Sequence, residues 1–198
     1  MNYRASLQLV LTLCALLVCS MARSQGPLNP PAGPGETMKS LDQVEPRQPI
    51  PSAPYEIKTP GSYYLTANVT GPIDIRADNV TLDLMGFTVY ATGGKGIDFP
   101  INCRNVTIRN GNVSGAGAYT AVDGRNLVDA GCLFEGLRVY NTYIGIYAGS
   151  GCTVRDCEVW GTDYAGIYLN NCAKSVVAGC NIHDNGGIGL LLAGSGAL

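Results

Sequence analysis

The feature that most constrains the fold of this chain is a short pattern that returns with a period of roughly 20–26 residues. Positions 107–115 read TIRNGNVSG and positions 153–161 read TVRDCEVWG, with Thr, a β-branched residue, Arg, and Asn or Asp at matching places. The apolar residue after the Thr position defines a first column. Its successive members are Leu82, Ile108, Phe134, Val154 and Val177.

Two further apolar columns accompany the first. The second lies a few positions later and contains Val89, Val113, Val139, Val159 and Ile182, with Val89 placed across a short insertion. The third follows, usually after Gly, and contains Ile97, Val122, Ile146, Ile167 and Ile188. The pieces are short, are bounded by Gly, Asn or Asp, and lack apolar residues at helical spacing, so they predict strands.

One such repeat cannot bury its apolar residues alone, but stacked repeats can. Stacking sets the strands of successive coils about 4.8 Å apart and places like residues above like. A leucine-rich repeat would need a dense Leu pattern, and a hexapeptide helix would need a hexapeptide period; neither is present. The sequence therefore predicts an all-β parallel β-helix of about five coils, each of roughly 20–26 residues, over positions 79–198.

The chain up to residue 54 differs in composition from the rest. Arg4 precedes an apolar run from Leu7 to Cys19 and small residues up to Ala22, which predicts a secretory signal peptide at 1–22. Cleavage after Ser24 and an uncleaved anchor are the alternatives. Positions 23–54 are rich in Pro and Gly and predict an extended linker. We therefore expect a secreted, periplasmic or cell-surface protein with no membrane contact after cleavage.

The charge of the chain argues against nucleic acid as a partner. The sequence has 13 basic and 15 acidic residues, and removal of positions 1–22 takes away only Arg4, which leaves a formal charge of −3. A general nucleic-acid binder needs a basic face to neutralise phosphates.

The stretches NVTIRNGNVSG and CTVRDCEVWG and the Gly-Ile turns resemble the repeats of right-handed parallel β-helix proteins of the pectate-lyase-like group. GSYYLTANVTGPIDIRADNVTLDLMGFTV is similar to the opening segment of secreted bacterial members. The resemblance covers residue 55 to the end and implies right-handed coils after an N-terminal cap at 55–78. It leaves the activity open, because this fold hosts lyases, hydrolases, epimerases and non-enzymatic surface proteins.

The C-terminal end of the sequence carries no capping pattern. It reads GIGLLLAGSGAL in or just after the fifth coil, with no amphipathic or polar segment behind it. We expect either missing coils or a partner that covers an open apolar end.

Side chains that directly follow an inward apolar residue point outward, so the columns also predict the surface. Tyr140, Trp160 and His183 follow the second column, and Tyr147, Tyr168 and Gly189 follow the third. The rings, together with nearby Asp163 and Asp184, predict a carbohydrate-binding surface. The alternative is that the aromatic side chains only stabilise the sheet by pairing with each other.

Asp98 and Asp123 also follow the third column, on adjacent coils, and Lys95 lies close by in sequence. Two carboxylates at that separation share a proton or bind a cation, which makes these three residues the catalytic candidates. The resemblance implies a calcium ion and a basic residue if the protein is a lyase; no other cofactor or metal is expected. The alternative is that both Asp side chains are ordinary solvent-facing turn residues. His183 with Asp184 is a weaker acid/base candidate.

Six cysteines remain after residue 22, and four of them share positions in adjacent coils. We expect Cys157 and Cys180 to be buried free thiols that pack in the core as small hydrophobic side chains. For Cys132 and Cys152, a disulfide and a pair of thiols both remain open, because the coil spacing lies within the Cα range of a disulfide.

These patterns favour a secreted β-helix protein that binds polysaccharide on its outer face and carries a candidate site for processing it as a lyase, hydrolase or epimerase. Two alternatives remain: a non-catalytic surface or adhesion protein, and a fragment of a longer polysaccharide lyase or hydrolase that lacks its catalytic coils.

Overall fold

The computed structural model describes residues 46–115, 117 and 119–194. The predicted signal peptide and the predicted linker up to residue 45 lie outside these residues. The regular structure of the described part is entirely strand. No helix in that part is long and apolar enough to cross a bilayer.

Eighteen short strands form the described part of the chain. They are β1 Gln48–Ile50, β2 Tyr55–Ile57, β3 Gly61–Leu65, β4 Val69–Thr70, β5 Ile73–Ile75, β6 Val80–Asp83, β7 Thr88–Tyr90, β8 Lys95–Asp98, β9 Thr107–Ser114, β10 Thr120–Gly124, β11 Leu133–Tyr140, β12 Ile144–Ala148, β13 Thr153–Arg155, β14 Glu158–Trp160, β15 Ala165–Asn170, β16 Val176–Ala178, β17 Asn181–His183 and β18 Ile188–Ala193.

The strands pair in parallel into two sheets, and each strand pairs with its equivalents one coil away. One sheet has seven strands in the order β2-β5-β8-β10-β12-β15-β18, so six turns of the chain link them. The other has eleven strands, with β1-β3-β6-β9-β11-β13-β16 as its main path and β4, β7, β14 and β17 alongside. This topology is a parallel β-solenoid, as the repeat predicts.

The register confirms the first two apolar columns. Leu82, Ile108, Phe134, Val154 and Val177 are successive partners, as are Val89, Val113, Val139, Val159 and Ile182. All are fully buried except Val177 and Ile182 in the last coil, which are partly buried. The columns are therefore the stacked layers of one continuous core.

The third column is correct except in the last coil. Ile167 pairs with Leu190, whereas Ile188 pairs with Ala165. The sequence offers Gly187-Ile188 and Gly189-Leu190 in succession, and a shift by one such dipeptide preserves the inward and outward alternation of a strand. Gly189 then lies beside Gly166, where a Cβ would come within 2.7 Å of the Gly189 carbonyl oxygen. Consequently Leu191, and not Gly189, lies next to Tyr168 in the outward column.

The solenoid begins earlier than the predicted boundary at residue 54. Strand β1 pairs with β3, and Ile50 is completely buried. Pro49 is compatible with this strand because β1 is at the edge of the described sheet, where a missing N–H leaves no ladder partner unsatisfied. The segment 55–78, predicted as a cap, contributes strands β2 to β5 to both sheets and extends the same stack.

The bend between the two segments of a repeat explains the Asn, Asp or Gly in the recurring pattern. Asn110, Gly136, Asp156 and Gly179 all have φ between 52° and 65°. Gly, Asn and Asp tolerate this left-handed conformation better than other residues. Asn110 and Asp156 therefore serve as turn residues at this bend.

The last described coil leaves its apolar residues exposed. Val176, Ile188, Leu190 and Leu192 are 41–49% accessible, whereas Ile146 and Ile167 in the coils below are completely buried. No element within the described residues covers them.

Candidate ligand-binding face

The structure brings Tyr140, Trp160 and His183 together as one ladder of stacked rings. They end β11, β14 and β17, and each follows an aliphatic residue of the second apolar column, so the register sets them one above another. The ring centroids of Tyr140 and Trp160 are 4.7 Å apart with planes at 13°. Those of Trp160 and His183 are 5.9 Å apart with planes at 3°. All three side chains are half-buried.

A charged row lies beside this ladder, on the same strands and the same outward side. Arg138 Nε is 3.2 Å from Glu158 Oε2, and His183 Nε2 is 3.5 Å from Glu158 Oε1. His183 Nδ1 is 2.9 Å from Asp184 Oδ2. The hydrogen bond to Asp184, together with the nearby Glu158 carboxylate, raises the pKa of His183 above its ordinary value. Arg138 and Glu158 were not predicted as part of this surface. Each lies two positions before the ring on its strand, and this spacing places both side chains on the outward side.

A groove of about 410 Å³ opens at the end of this row. Its lining consists of Gly86, Asn110, Gly111, Asn112, Gly136 and Arg138. The volume is within the usual range of small-ligand sites. Since Arg138 belongs to both the groove and the charged row, the groove is continuous with the charged row beside the ladder.

A second ladder, which the sequence analysis missed, consists of Tyr119, Tyr143 and Tyr164. The centroids are 5.3 Å apart for the first pair and 5.2 Å for the second, with planes at 26° and 12°. These rings are 39–51% exposed. Each tyrosine precedes a third-column residue at the same spacing, and this regularity was visible in the sequence.

Tyr147 and Tyr168 form a third, shorter pair on the outward column of the seven-stranded sheet. Their centroids are 4.5 Å apart with planes tilted by 50°. The Arg125 guanidinium lies 5.5 Å from the Tyr119 centroid and 5.2 Å from the Tyr147 centroid, so it connects this pair to the second ladder by cation–π contacts. Asp163 is exposed next to Tyr164, and its backbone N–H donates to the Thr142 carbonyl oxygen.

The catalytic candidates are also adjacent, but they form ion pairs with each other. Lys95 Nζ is 2.8 Å from Asp98 Oδ1 and 3.0 Å from Asp123 Oδ2. Asp123 is completely buried, and its other oxygen accepts from Arg125 Nε at 2.8 Å. Burial opposes the charge of Lys95, but the bonds to Asp98 and Asp123 outweigh it and raise the pKa of the ammonium group. This environment favours the protonated form of Lys95, whereas a catalytic base has to be unprotonated to accept a proton. The arrangement therefore disfavours Lys95 as a base.

The same carboxylates belong to a longer ladder of alternating charge. Glu56, Asp74, Asp98 and Asp123 are successive partners in the seven-stranded sheet. Arg76 bridges Glu56 and Asp74 at 3.5 and 3.0 Å, just as Lys95 bridges Asp98 and Asp123. Stacked like charges are destabilising, so the interleaved cations offset their repulsion.

The calcium expectation does not fit this arrangement. Calcium takes six to eight oxygen ligands, and here the Lys95 ammonium group already lies between the two carboxylates. The described residues contain no cluster of three or more His, Cys, Asp or Glu side chains that could hold a metal ion.

All six described cysteines are free thiols, and all but Cys180 are buried. Cys132 and Cys152 lie on adjacent coils, and the neighbouring Cys132 thiol together with burial raises the pKa of Cys152. Burial raises the pKa of Cys157 to about 12. Cys152 and Cys157 therefore act as core-filling groups and remain un-ionised at neutral pH.

Comparison with known proteins bears on the fold. A family model described as the right-handed β-helix region matches residues 73–198, which cover most of the solenoid. No curated protein and no solved structure matches the chain. The predicted fold is confirmed, and the chain belongs to the right-handed β-helix family.

Proposed function

We propose that this protein binds an extended polysaccharide along the surface formed by its aromatic ladders. This aromatic face consists of Tyr119, Tyr140, Tyr143, Tyr147, Trp160, Tyr164, Tyr168 and His183. The observation that carries the proposal is that half-exposed rings stand in register on consecutive coils. Exposed apolar patches rimmed by polar groups usually mark binding sites.

Mutual stabilisation explains why the rings stack on one another, but it does not explain why they are exposed on the surface. Aromatic pairs contribute about 0.5–1.5 kcal/mol beyond the area they bury. That gain does not require Tyr119 to be 51% exposed or Tyr143 and Tyr164 to be 39% exposed. It also does not account for the groove beside Arg138, which offers amide and guanidinium donors.

The dimensions of the face favour a long ligand. Three rungs at the coil spacing span roughly 10 Å along the solenoid axis, and the ladders of Tyr140 and Tyr143 flank a single turn of the chain. A chain of several sugar units offers repeated C–H faces to the rings and hydroxyls to Arg138, Asp163 and Asp184. The resemblance to pectate-lyase-like proteins supports a polysaccharide as the ligand.

The proposal is for binding and not for cleavage. Asp98, Asp123 and Lys95 neutralise one another within a charge ladder that extends to Glu56, which favours a structural role. Export is part of the proposal and rests on the signal-peptide pattern of positions 1–22. A non-catalytic structural or adhesion role is the alternative that a negative binding experiment would favour.

Trp160 allows a sharp test, because it is the single tryptophan of the chain. We expect a polysaccharide array to retain the wild-type protein and the bound polymer to change Trp160 fluorescence. Trp160→Ala should weaken binding about three- to tenfold, the equivalent of one aromatic contact.

Tyr90→Ala is the matched control. Tyr90 belongs to the same outward column, but Ser114 separates it from Tyr140, so it is outside the continuous ladder. Its removal should leave binding unchanged. The proposal is wrong if no polysaccharide is retained, or if Trp160→Ala and Tyr90→Ala bind alike.

A further inference from the structure

The aromatic ladder ends in a group that changes charge near neutral pH. His183 is the only histidine of the chain, and its ring is parallel to the indole of Trp160 within 3°. An unperturbed imidazole gains its proton between about pH 5 and 8. The end of the ladder therefore exists as either a neutral ring or a cation.

The charged side chains around His183 are few, which makes the effect of its proton clear. Asp184 on its own turn and Glu158 on β14 face its two ring nitrogens, and Arg138 on β11 pairs with Glu158. With neutral His183, this cluster of one cation and two carboxylates has a net charge of −1. With protonated His183, the net charge is zero.

We propose that His183 sets the specificity of the aromatic face by its protonation: protonated His183 admits anionic polysaccharides, and neutral His183 disfavours them. The inference rests on the proposed binding function and adds its regulation. A neutral cluster does not repel a carboxylate or sulfate, whereas a cluster of charge −1 does. The imidazolium also makes a cation–π contact with Trp160, the ring best suited to it. A hydrogen bond to Asp184 and an ion-pair contact with Glu158 hold the protonated form in place.

The charge change can be measured without any ligand. Protonated imidazole quenches a stacked indole, so Trp160 fluorescence should rise with pH along a single-proton curve. His183→Gln should abolish this curve. Asp184→Asn keeps a residue suited to the left-handed backbone at this position, φ 49°, but removes one carboxylate, and should move the midpoint to lower pH. A flat wild-type curve, or an unchanged curve in His183→Gln, would overturn the inference.

The binding arm uses polygalacturonate as the anionic probe and dextran as the neutral one, at about pH 5 and about pH 8. The wild type should bind polygalacturonate on the order of fivefold more tightly at the lower pH. This ratio should vanish in His183→Gln, and any dextran binding should not change with pH. Far-ultraviolet circular dichroism should confirm that each variant is folded.

The outcomes separate the two proposals. If the fluorescence curve is present but no polysaccharide binds at either pH, the binding function fails and the specificity role fails with it, while the protonation itself is established. If polygalacturonate binds equally at both pH values, or with the same pH ratio in His183→Gln, binding stands and the role of His183 is overturned.

Discussion

At the residue scale, small side chains set how closely neighbouring parts of a coil can approach. A Cβ at Gly96 would come within 2.7 Å of both the Ala121 carbonyl oxygen and Val113 Cγ1. One of these atoms belongs to the backbone of the next coil and the other to the packed core. Neither can move without disturbing the ladder of hydrogen bonds or the second apolar column, so this position requires Gly for space.

We therefore expect Gly96→Ala to lower the free energy of unfolding by about 1–3 kcal/mol, the usual cost of overpacking. Gly94→Ala is a matched control nearby in the chain, because its Cβ would meet only the Thr92 carbonyl oxygen at 4.0 Å. Urea denaturation measures both values. Equal stability of the two variants would show that the coils at Gly96 can separate without cost.

At the element scale, the sequence predicted the strands wherever the repeat kept its regular period. The coils before Leu82 are shorter. Tyr63 is the partner of both Gln48 and Leu82, and it lies closer to each of them in the chain than Leu82 lies to Ile108. Because of this shorter spacing, the first strands did not match the repeat period found in the sequence and were not predicted as coils.

The same shorter spacing concealed the acidic column of the N-terminal coils. Glu56 and Asp74 are partners on β2 and β5, and Asp74 is also the partner of Asp98. Without the first coils in the alignment, Asp98 and Asp123 looked like an isolated pair of carboxylates. An isolated pair suggests catalysis or cation binding, whereas a column with interleaved cations favours a structural role.

The charge ladder predicts that Lys95 matters for stability. Lys95→Met leaves the fully buried Asp123 with Arg125 as its only cation, and we expect a loss of about 1–3 kcal/mol. Lys58→Met removes a solvent-exposed partner of Glu56 and should leave the free energy of unfolding nearly unchanged. Denaturation at neutral pH measures the difference, and a Lys95→Met variant as stable as Lys58→Met would contradict the ladder.

The pH dependence of this contribution has a definite sign. The folded-state pKa of Lys95 is raised above its ordinary value of 10.5. Its stabilisation is therefore fully present below that value and is lost only as pH rises through the higher folded pKa. The difference between wild type and Lys95→Met should consequently be constant from neutral pH to about pH 9.

At the scale of the whole molecule, the outward column of the seven-stranded sheet divides the solenoid. Its first four members are acidic, and the next two are Tyr147 and Tyr168. The charge ladder thus occupies the N-terminal coils, and the aromatic face begins where it ends. The sequence predicted the rings that follow the apolar columns but missed the ladder of Tyr119, because these tyrosines precede their column, before the strands begin.

Because a solenoid is stabilised by contacts between neighbouring coils, the cost of one substitution depends on its coil. Ile146 and Leu190 belong to the same column, but Ile146 is completely buried and Leu190 is 41% exposed. Ile146→Ala should cost about 2–5 kcal/mol, whereas Leu190→Ala should cost about 1 kcal/mol, since 41% of its surface stays in water after folding. Urea denaturation measures both, with Ile146→Val as a milder variant at an expected cost of about 0.5–1.5 kcal/mol. Equal costs for the two alanine variants would mean that the last coil is covered in solution. Amide hydrogen exchange separates the cases further: an uncovered coil exchanges faster in β18 than in β12.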